Sequence, residues 1–297
     1  MAIAGSRNDV RSGILSTMPE LPEVETVCRL MRRVLIGKRI AEAVVMPDPI
    51  VLSGAPVEAY VECLLGKTVT GVGRKGKFWW LELEEKPWLF GHLGMSGWIR
   101  EVGAESLRLH SHGKAPLDDA EGAPKFLKLL LTAEDGRRIA FTDGRRLGRL
   151  WLSEGPETDA RVKRLGFDVM NSLPDPKILG TILAKRKVAI KGVLLDQSVF
   201  AGVGNWIADE VLYHAGIAPQ RLACDLSGEE VGALHRAIEQ VIRIAVEVDA
   251  DSARFPEGWL FTHRWGGHKG SSEIDGQAIR RETVAGRTTA WIPSRQS

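Results

Sequence analysis

Residues 18–27 have the sequence Met18-Pro19-Glu20-Leu21-Pro22-Glu23-Val24-Glu25-Thr26-Val27. Proline and acidic residues are both common in the first turn of a helix, where the missing N–H has no helical partner to lose and the helix dipole favours negative charge. Apolar side chains continue at the spacing of one helix face, at Val24, Val27, Leu30, Met31 and Val34. Gly37 ends the pattern. The stretch therefore predicts an N-terminal helix over residues 23–35.

Composition indicates a soluble globular chain with room for two domains. The sequence has 297 residues, of which 44% are hydrophobic and 26% charged, and its net charge is +2. Such a small net charge neither requires nor excludes a nucleic-acid partner. The three cysteines, Cys28, Cys63 and Cys224, form no metal-binding pattern and suggest a reducing intracellular setting. No apolar run approaches the roughly 18 residues needed to span a membrane.

Residues 1–17 precede the Met18 stretch and lack the apolar region of a secretory signal. We expect them to be a disordered extension or the product of an upstream start codon that is not used. The protein is expected to act inside the cell, in the cytoplasm or nucleoid if it is bacterial and in the nucleus or an organelle if it is eukaryotic.

Short runs rich in β-formers dominate residues 40–153, and turn residues separate them. They predict a β-sandwich that carries one N-terminal helix. Residues 101–125 are rich in glycine, serine and aspartate and predict a long surface loop. Residues 154–164 predict a linker between two domains.

The chain becomes helical after the linker. Ser227 and Glu230 form a capping box before a long apolar stripe. Residues 277–284 and 287–292 flank Ala285-Gly286, a hairpin signal. The sequence thus predicts an α+β protein, divided as residues 1–17 (extension), 18–153 (β-sandwich domain), 154–164 (linker), 165–250 (helical domain) and 251–297 (hairpin).

Six segments taken in order carry a family resemblance: residues 18–27, 74–81, 92–97, 143–148, 191–210 and 283–291. They resemble the formamidopyrimidine-DNA glycosylase and endonuclease VIII family, and the last resembles the zincless finger of some members, including plant ones. The resemblance covers roughly residues 18–296. It implies a helix–two-turn–helix in the helical domain and a bifunctional DNA glycosylase and AP lyase of base excision repair. The implied partner is damaged double-stranded DNA. The protein is expected to bind it as a monomer and to have no membrane partner.

The resemblance implies four catalytic residues. Family members lose the initiator methionine, and the proline at the position of Pro19 then offers a free secondary amine that attacks C1′ of a damaged nucleoside. Expulsion of the base gives an iminium, whose acidified 2′ protons permit strand cleavage. Glu20 matches the carboxyl that donates and accepts protons. Lys77 and Arg287 match the lysine and the finger arginine that hold the phosphate near the lesion.

Three further residues match the family's wedge into DNA. Met95 matches a methionine that fills the space left by the extruded base. Arg145 matches an arginine that bonds to the orphaned base opposite the lesion. Leu147 stands where the family often has an aromatic residue that stacks on the opposite strand.

The helix–two-turn–helix contributes the remaining predicted DNA contacts. Gly204 permits a tight turn at a helix N-terminus, where backbone amides and the helix dipole accept a phosphate. Lys191 and Asn205 are expected to add side-chain donors.

The C-terminal hairpin departs from the four-cysteine zinc finger that most bacterial members have. No cysteine follows Cys224, and His263 and His268 lack further soft ligands, so we expect neither a metal nor another cofactor. Residues 249–262 are too short for the loop that closes over the flipped base in many members that prefer 8-oxoguanine. We therefore expect removal of formamidopyrimidines and hydantoins, with weaker activity on 8-oxoguanine.

The internal position of Pro19 leaves an alternative open. A proline inside a peptide bond has an amide nitrogen and no lone pair to offer, so catalysis requires a protein that starts at Pro19. If Pro19 stays blocked, the chain is a non-catalytic protein that binds damaged DNA. A third possibility, an RNA-binding protein that uses only the helix–two-turn–helix, is disfavoured by the Pro19-Glu20 start and by Arg287.

Overall fold

The computed structural model describes residues 18–104, 118–119, 122–264 and 272–297. The extension at residues 1–17, residues 105–117 and 120–121 of the predicted surface loop, and His268 lie outside the described residues. No helix among the described residues is long and apolar enough to cross a membrane.

The described residues before 154 form two four-stranded antiparallel sheets and two helices. The sheets have the strand orders β1-β6-β7-β5 and β2-β3-β4-β8, and they share one hydrophobic core with both helices. The elements are α1 (Leu21–Leu35), β1 (Ile40–Val45), α2 (Val57–Leu64), β2 (Val69–Lys75), β3 (Phe78–Leu83), β4 (Trp88–His92), β5 (Gly97–Glu101), β6 (Leu127–Ala133), β7 (Arg138–Asp143) and β8 (Arg149–Ser153).

Helix α2 is a correction to the prediction of one helix in this domain. Its eight residues bury only Tyr60, Cys63 and Leu64. Three buried positions in two turns give too short a periodic signal to separate a helix from a loop.

The rest of the described chain is mainly helical, which confirms the predicted α+β class. A short helix, α3, lies inside the predicted linker. The elements are α3 (Ala160–Lys163), β9 (Phe167–Asp168), α4 (Pro176–Leu183), α5 (Ile190–Leu195), β10 (Phe200–Ala201), α6 (Asn205–Ala215), α7 (Gly228–Glu247), β11 (Glu273–Ile274), β12 (Gln277–Ala278), β13 (Arg280–Val284) and β14 (Arg287–Trp291), with 3-10 turns at Ala223–Asp225, Ser252–Arg254 and Leu260–Thr262.

Buried contacts of Leu21 and Arg74 are among those that hold the helical domain against the sheets. Leu21, in the first turn of α1, is fully buried in the core of the helical domain. The buried Arg74 donates to Glu25 Oε2 at 2.9 Å and to Asp168 Oδ2 at 2.6 Å, which joins β2 to α1 and to β9. The N-terminal segment is therefore held in the cleft between the two domains.

Strands β13 and β14 form the predicted hairpin around Ala285 and Gly286. Both turn residues have positive φ, +50° and +73°, as a two-residue type I′ turn requires. The predicted first strand is divided, because Gln277 and Ala278 pair with β11 across a second tight turn.

Candidate active site

The Glu20 carboxylate closes the N-terminus of α6. Its Oε1 accepts the Trp206 amide at 2.9 Å, and its Oε2 accepts the Ile207 amide at 3.1 Å. The first amides of a helix have no partner within the helix and carry the positive end of its dipole, so they hold a carboxylate well. A side chain of the first domain is thus positioned by a helix of the second.

Two glycines make this approach possible. A Cβ atom built on Gly204 would lie 2.2 Å from Glu20 Cδ, and one built on Gly202 would lie 2.5 Å from Leu21 Cδ1. Gly202 also has φ +107°, a backbone conformation that residues with a side chain rarely adopt. Glycine is therefore required at Gly202 and Gly204 both by the turn itself and by the close contact with Glu20 and Leu21 at the start of α1.

Glu20 is able to act as both acid and base near neutral pH. Burial raises its pKa to about 7, and the charge of Glu23 raises it further, while Lys77 and the two α6 amides act in the opposite direction. A carboxyl with a pKa near the working pH is suited to proton transfer.

Glu20 lines a cavity of about 770 Å³ between the two domains. Pro19 is buried beside it, and Met18 reaches the cavity wall. Besides Met18 and Glu20, the sequence-predicted residues on its wall are Lys77, Met95, Gly204, Asn205 and Arg287. The fold thus brings together residues from five separate parts of the sequence.

Lys77 lies in the turn between β2 and β3, and its ammonium donates to the Val203 carbonyl at 3.1 Å. Burial lowers the pKa of Lys77, Glu20 and Glu23 oppose that effect, and Arg287 lowers it further. Arg287 itself is exposed, and its guanidinium has no hydrogen-bond partner among the described residues. Lys77 and Arg287 are thus two of the cationic side chains on the cavity wall, and Arg287 is the exposed one of the pair.

Asn205 begins α6 and is half-buried on the cavity wall. Its Nδ2 donates to the Thr288 carbonyl at 2.9 Å, which ties α6 to β14. Its Oδ1 is buried without a partner among the described residues.

Lys191, predicted to contact DNA, lies instead in the protein interior, with 0% of its side chain exposed. Its ammonium donates to Asp209 Oδ1 and to Thr289 Oγ1, both at 2.6 Å. Asp209 also accepts from Arg264 at 2.5 Å and from the Ala290 amide at 3.2 Å. Lys191 therefore anchors the C-terminal hairpin to α5 and α6, and its charge is not available at the surface.

The loops of Met95 and Arg145 are joined through Asp143. Its Oδ1 accepts the Ser96 hydroxyl at 2.5 Å and the Arg145 amide at 3.1 Å, and its Oδ2 accepts the Gly148 amide at 2.6 Å. Asp143 begins the segment 143–148, in which the family resemblance assigns roles to Arg145 and Leu147 alone. Its signal was its place at the end of a strand before a glycine, where a carboxylate often caps backbone amides.

Arg145 and Leu147 lie at the surface of this loop pair, and Leu147 is 40% exposed. The neighbouring Arg146 is bound to Asp48, which accepts its Nε at 2.9 Å. The Arg145 guanidinium has no such partner among the described residues, so the two adjacent arginines differ in their freedom to bind a ligand.

His92, the first residue of segment 92–97, lies on the cavity wall, although the sequence pattern predicts no role for it. Burial lowers its pKa to about 4, and the charges of Lys77 and Arg149 act in the same direction. Its Nδ1 accepts the Gly94 amide at 3.1 Å, which leaves Nε2 to carry the proton of the neutral ring. His92 is thus a neutral donor on the cavity wall.

Known proteins match the chain over most of its length. The model of the formamidopyrimidine-DNA glycosylase N-terminal domain matches residues 18–150, and the H2TH domain model of the same enzyme matches residues 165–257. A formamidopyrimidine-DNA glycosylase of Arabidopsis thaliana is 39% identical over 280 residues, which cover 94% of this chain and 71% of that protein. One from Moorella thermoacetica is 35% identical over 240 residues, 80% of this chain and 81% of that protein.

Solved structures agree with these matches. A MutM chain in complex with DNA that contains carbocyclic 8-oxo-G has a TM-score of 0.76 and 27% identity, over 94% of this chain and 100% of that one. The Lactococcus lactis protein bound to DNA that contains FAPY-dG has a TM-score of 0.74 and 25% identity over the same shares of the two chains. The chain therefore belongs to the formamidopyrimidine-DNA glycosylase family of DNA-repair enzymes.

Proposed function

We propose that this protein removes oxidised bases from double-stranded DNA and then cleaves the strand, with Pro19 as nucleophile once it is a free N-terminus. The observation that carries the proposal is the Glu20 carboxyl, fixed on the N-terminus of α6 next to Pro19 and inside a cavity shared with Lys77 and Arg287. The names and complexes of the relatives support DNA with oxidised or abasic sites as the substrate.

The proposed reaction begins when the lone pair of the Pro19 amine forms a bond to C1′ while the bond from C1′ to the base breaks. Glu20 donates its proton to O4′ as the bond from C1′ to O4′ breaks, and the proton that the Pro19 nitrogen loses on becoming an iminium passes to the leaving base, so Glu20 is left as a carboxylate that accepts the 2′ proton. The resulting iminium withdraws electrons from C2′, so loss of a 2′ proton expels the 3′ phosphate as leaving group. A Glu20 pKa of about 7 suits a group that must both give and take a proton.

The cavity wall carries the groups needed to hold the phosphates of an extruded nucleotide. Lys77 and Arg287 supply positive charge. The amides of Gly204 and Asn205 precede those that bind Glu20 and have no acceptor among the described residues, so they remain available to an anion at the helix N-terminus. Asn205 is a further candidate through its side chain. We do not assign Lys191 to this group, because its ammonium is enclosed.

The joined loops of Met95 and Arg145 support the proposed wedge into DNA. Asp143 holds both loops at one sheet edge, and Met95 reaches the cavity wall. In this proposal Met95 fills the gap left by the extruded base, Arg145 bonds to the orphaned base, and Leu147 contacts the opposite strand.

The nucleophile is tested by trapping with borohydride, which reduces an iminium to a stable amine and joins protein to DNA. We expect an adduct with abasic DNA from a protein that begins at Pro19 and none from the 297-residue chain. Equal trapping by both forms would show that another amine, such as that of Lys77, is the nucleophile. Binding without trapping by the Pro19 form would support the alternative, a non-catalytic protein that binds damaged DNA.

A further inference from the structure

Phe126 is the most exposed large apolar side chain in the described part of the chain. It is 59% exposed, and it is the one aromatic among the large apolar residues that reach the surface there. Isolated apolar side chains on a surface are common. A phenylalanine ring beside a candidate DNA-binding loop has a more specific use, because its faces can stack on nucleotide bases.

The backbone around Phe126 is shaped to keep the ring outside. Phe126 has φ +58°, a conformation that is uncommon for a bulky side chain. The pairing of β6 with β7 then shifts between Leu127 and Leu129. Such a bulge adds one residue and redirects the neighbouring side chains. Both features separate Phe126 from the alternating core positions of β6.

Phe126 packs against the loop that carries Arg145 and Leu147. Its carbonyl accepts the Asp143 amide at 2.9 Å. A Cβ atom built on Gly144 would lie 3.2 Å from the Phe126 ring. The absence of a side chain at Gly144 therefore lets the ring lie directly beside this loop.

A second connection makes the arrangement rigid. The Asp48 carboxylate accepts from Lys128 Nζ at 2.9 Å and from Arg146 Nε at 2.9 Å. Lys128 lies two residues after Phe126, and Arg146 lies between Arg145 and Leu147. One buried carboxylate thus ties the start of β6 to the loop after β7.

Strand order places Phe126 on a definite side of this loop. In the sheet β1-β6-β7-β5, the segment before β6 carries Phe126, the loop after β7 carries Arg145 and Leu147, and the loop before β5 carries Met95. Because these strands are antiparallel, the three segments lie side by side at one end of the sheet, in that order. Phe126 is therefore on the far side of the Arg145 loop from Met95 and from the cavity.

We propose that Phe126 stacks on a base of the DNA strand opposite the lesion and so supplies the aromatic surface that Leu147 lacks. The inference rests on the proposed function, in which Arg145 faces the orphaned base and Met95 faces the gap in the lesion strand. The exposed Lys125 precedes Phe126 in the chain, and the exposed Arg145 follows Gly144, which lies against the ring, so both cations suit a polyanionic partner.

The test measures binding to a duplex that contains a tetrahydrofuran abasic analogue, with 2-aminopurine in the opposite strand beside the orphaned base. The proteins begin at Pro19. We expect Phe126→Ala and Phe126→Gly to bind about tenfold more weakly, as loss of one stacked base predicts, and to leave the 2-aminopurine brighter. Phe126→Trp should bind like the wild type. The glycine variant relieves the positive φ, so it keeps the fold intact.

Leu65→Ala is the matched control. Leu65 is 49% exposed and lies at the other end of the same sheet, where the next residue, Gly66, donates to the Ile40 carbonyl at 2.8 Å. Equal affinity and fluorescence of wild type, Phe126→Ala and Phe126→Gly would overturn the inference and leave the proposed function standing. Failure of the wild type to bind the damaged duplex would overturn the proposed function as well.

Discussion

At the scale of single residues, the Glu20 carboxyl is held between two opposing influences. Burial favours its neutral form, while the α6 amides and Lys77 favour its charged form. Burial is the larger influence, so the carboxyl keeps its proton to about pH 7. The same contacts that position it therefore also set the pH range in which it can transfer a proton.

We expect Glu20→Gln to remove base excision and to leave DNA binding largely intact. A carboxamide cannot transfer a proton, but it keeps the size of the side chain and one carbonyl acceptor for the α6 amides. Single-turnover excision and binding to an abasic analogue are the two measurements. Excision at the wild-type rate would exclude Glu20 as the proton donor.

The stability of the same variant should depend on pH in a defined direction. Between the ordinary carboxyl pKa of 4.5 and the value of about 7 in the folded protein, the folded state binds a proton that the unfolded state has lost. The contribution of Glu20 to the wild-type free energy of unfolding is therefore fully present below pH 4.5 and is lost as the pH rises to about 7. Relative to wild type, the free energy of unfolding of Glu20→Gln should rise by up to about 3 kcal/mol across this window. A difference that does not change with pH, in denaturant titrations, would contradict this.

Gly204→Ala should displace the Glu20 carboxyl by a steric clash from the start of α6. The added Cβ meets Glu20 Cδ at 2.2 Å, so either the carboxyl or the α6 terminus must move. We expect excision to slow by about 10²-fold, as for a misplacement of about 1 Å. Gly180→Ala in α4 is the control, because its Cβ has ordinary contact at 3.8 Å with Val231. Equal rates in the two variants would show that the clash is absorbed without moving Glu20.

At the scale of elements, the C-terminal hairpin is attached by buried polar contacts. Lys191 and Arg264 bind the Asp209 carboxylate, which also accepts the Ala290 amide of β14. Removing one partner of such a buried group leaves an uncompensated charge and is strongly destabilising. The attachment therefore depends on α5 and α6 as much as on the hairpin itself.

We predict that the purified protein carries no stoichiometric zinc and keeps its activity in chelator. The physical reason is that the hairpin has no thiolate ligands, and the described residues contain no group of three or more His, Cys, Asp or Glu able to hold a metal ion. Elemental analysis checks the first statement and excision assays with chelator check the second. One zinc per chain would overturn it.

Arg287→Ala should weaken binding to damaged DNA and reduce its dependence on salt. Loss of one phosphate contact lowers the slope of log K against log salt by about 0.9. Arg280→Ala is a control on the same hairpin, since the Arg280 guanidinium lies over the Trp291 ring, 5.5 Å from its centroid, and away from the cavity wall. If both variants keep the wild-type slope, Arg287 does not bind phosphate.

At the scale of the whole molecule, the cavity belongs to neither domain alone. The sheets contribute Lys77 and Met95, the helical domain contributes Asn205, and the hairpin contributes Arg287. Leu21 in the helical core and Arg74 between Glu25 and Asp168 hold these parts in one arrangement. A change at the domain interface should therefore affect catalysis even when it touches no catalytic group.

We predict faster excision of formamidopyrimidines and hydantoins than of 8-oxoguanine paired with cytosine. Trp259 and Phe261 are buried, and the ring centroids of Phe261 and Trp206 in α6 lie 5.1 Å apart. These residues of segment 249–262 therefore belong to the core and do not form a loop over the base. Each missing hydrogen bond to the base removes about 0.5–1.5 kcal/mol of discrimination. Single-turnover rates on matched duplexes provide the measurement. A faster rate on 8-oxoguanine than on a hydantoin would refute the prediction.

Local patterns in the sequence determined the family, the α+β class and most elements. The apolar spacing after Pro22 predicted α1, the Ser227 capping box predicted the start of α7, and Ala285-Gly286 predicted the last hairpin. These features depend on residues within a few positions of one another, so their signal survives in the linear sequence. Helix α2 was missed because so few of its residues are buried.

Only the tertiary structure decided which groups meet. A lysine beside a glycine on a short helix reads as a surface donor, yet Lys191 is enclosed by Asp209 and Thr289 from distant segments. Gly204 reads as a turn glycine, yet its close neighbour is Glu20. The physical reason is that burial, and the pKa changes and steric limits that follow from it, depends on long-range packing that no local spacing encodes.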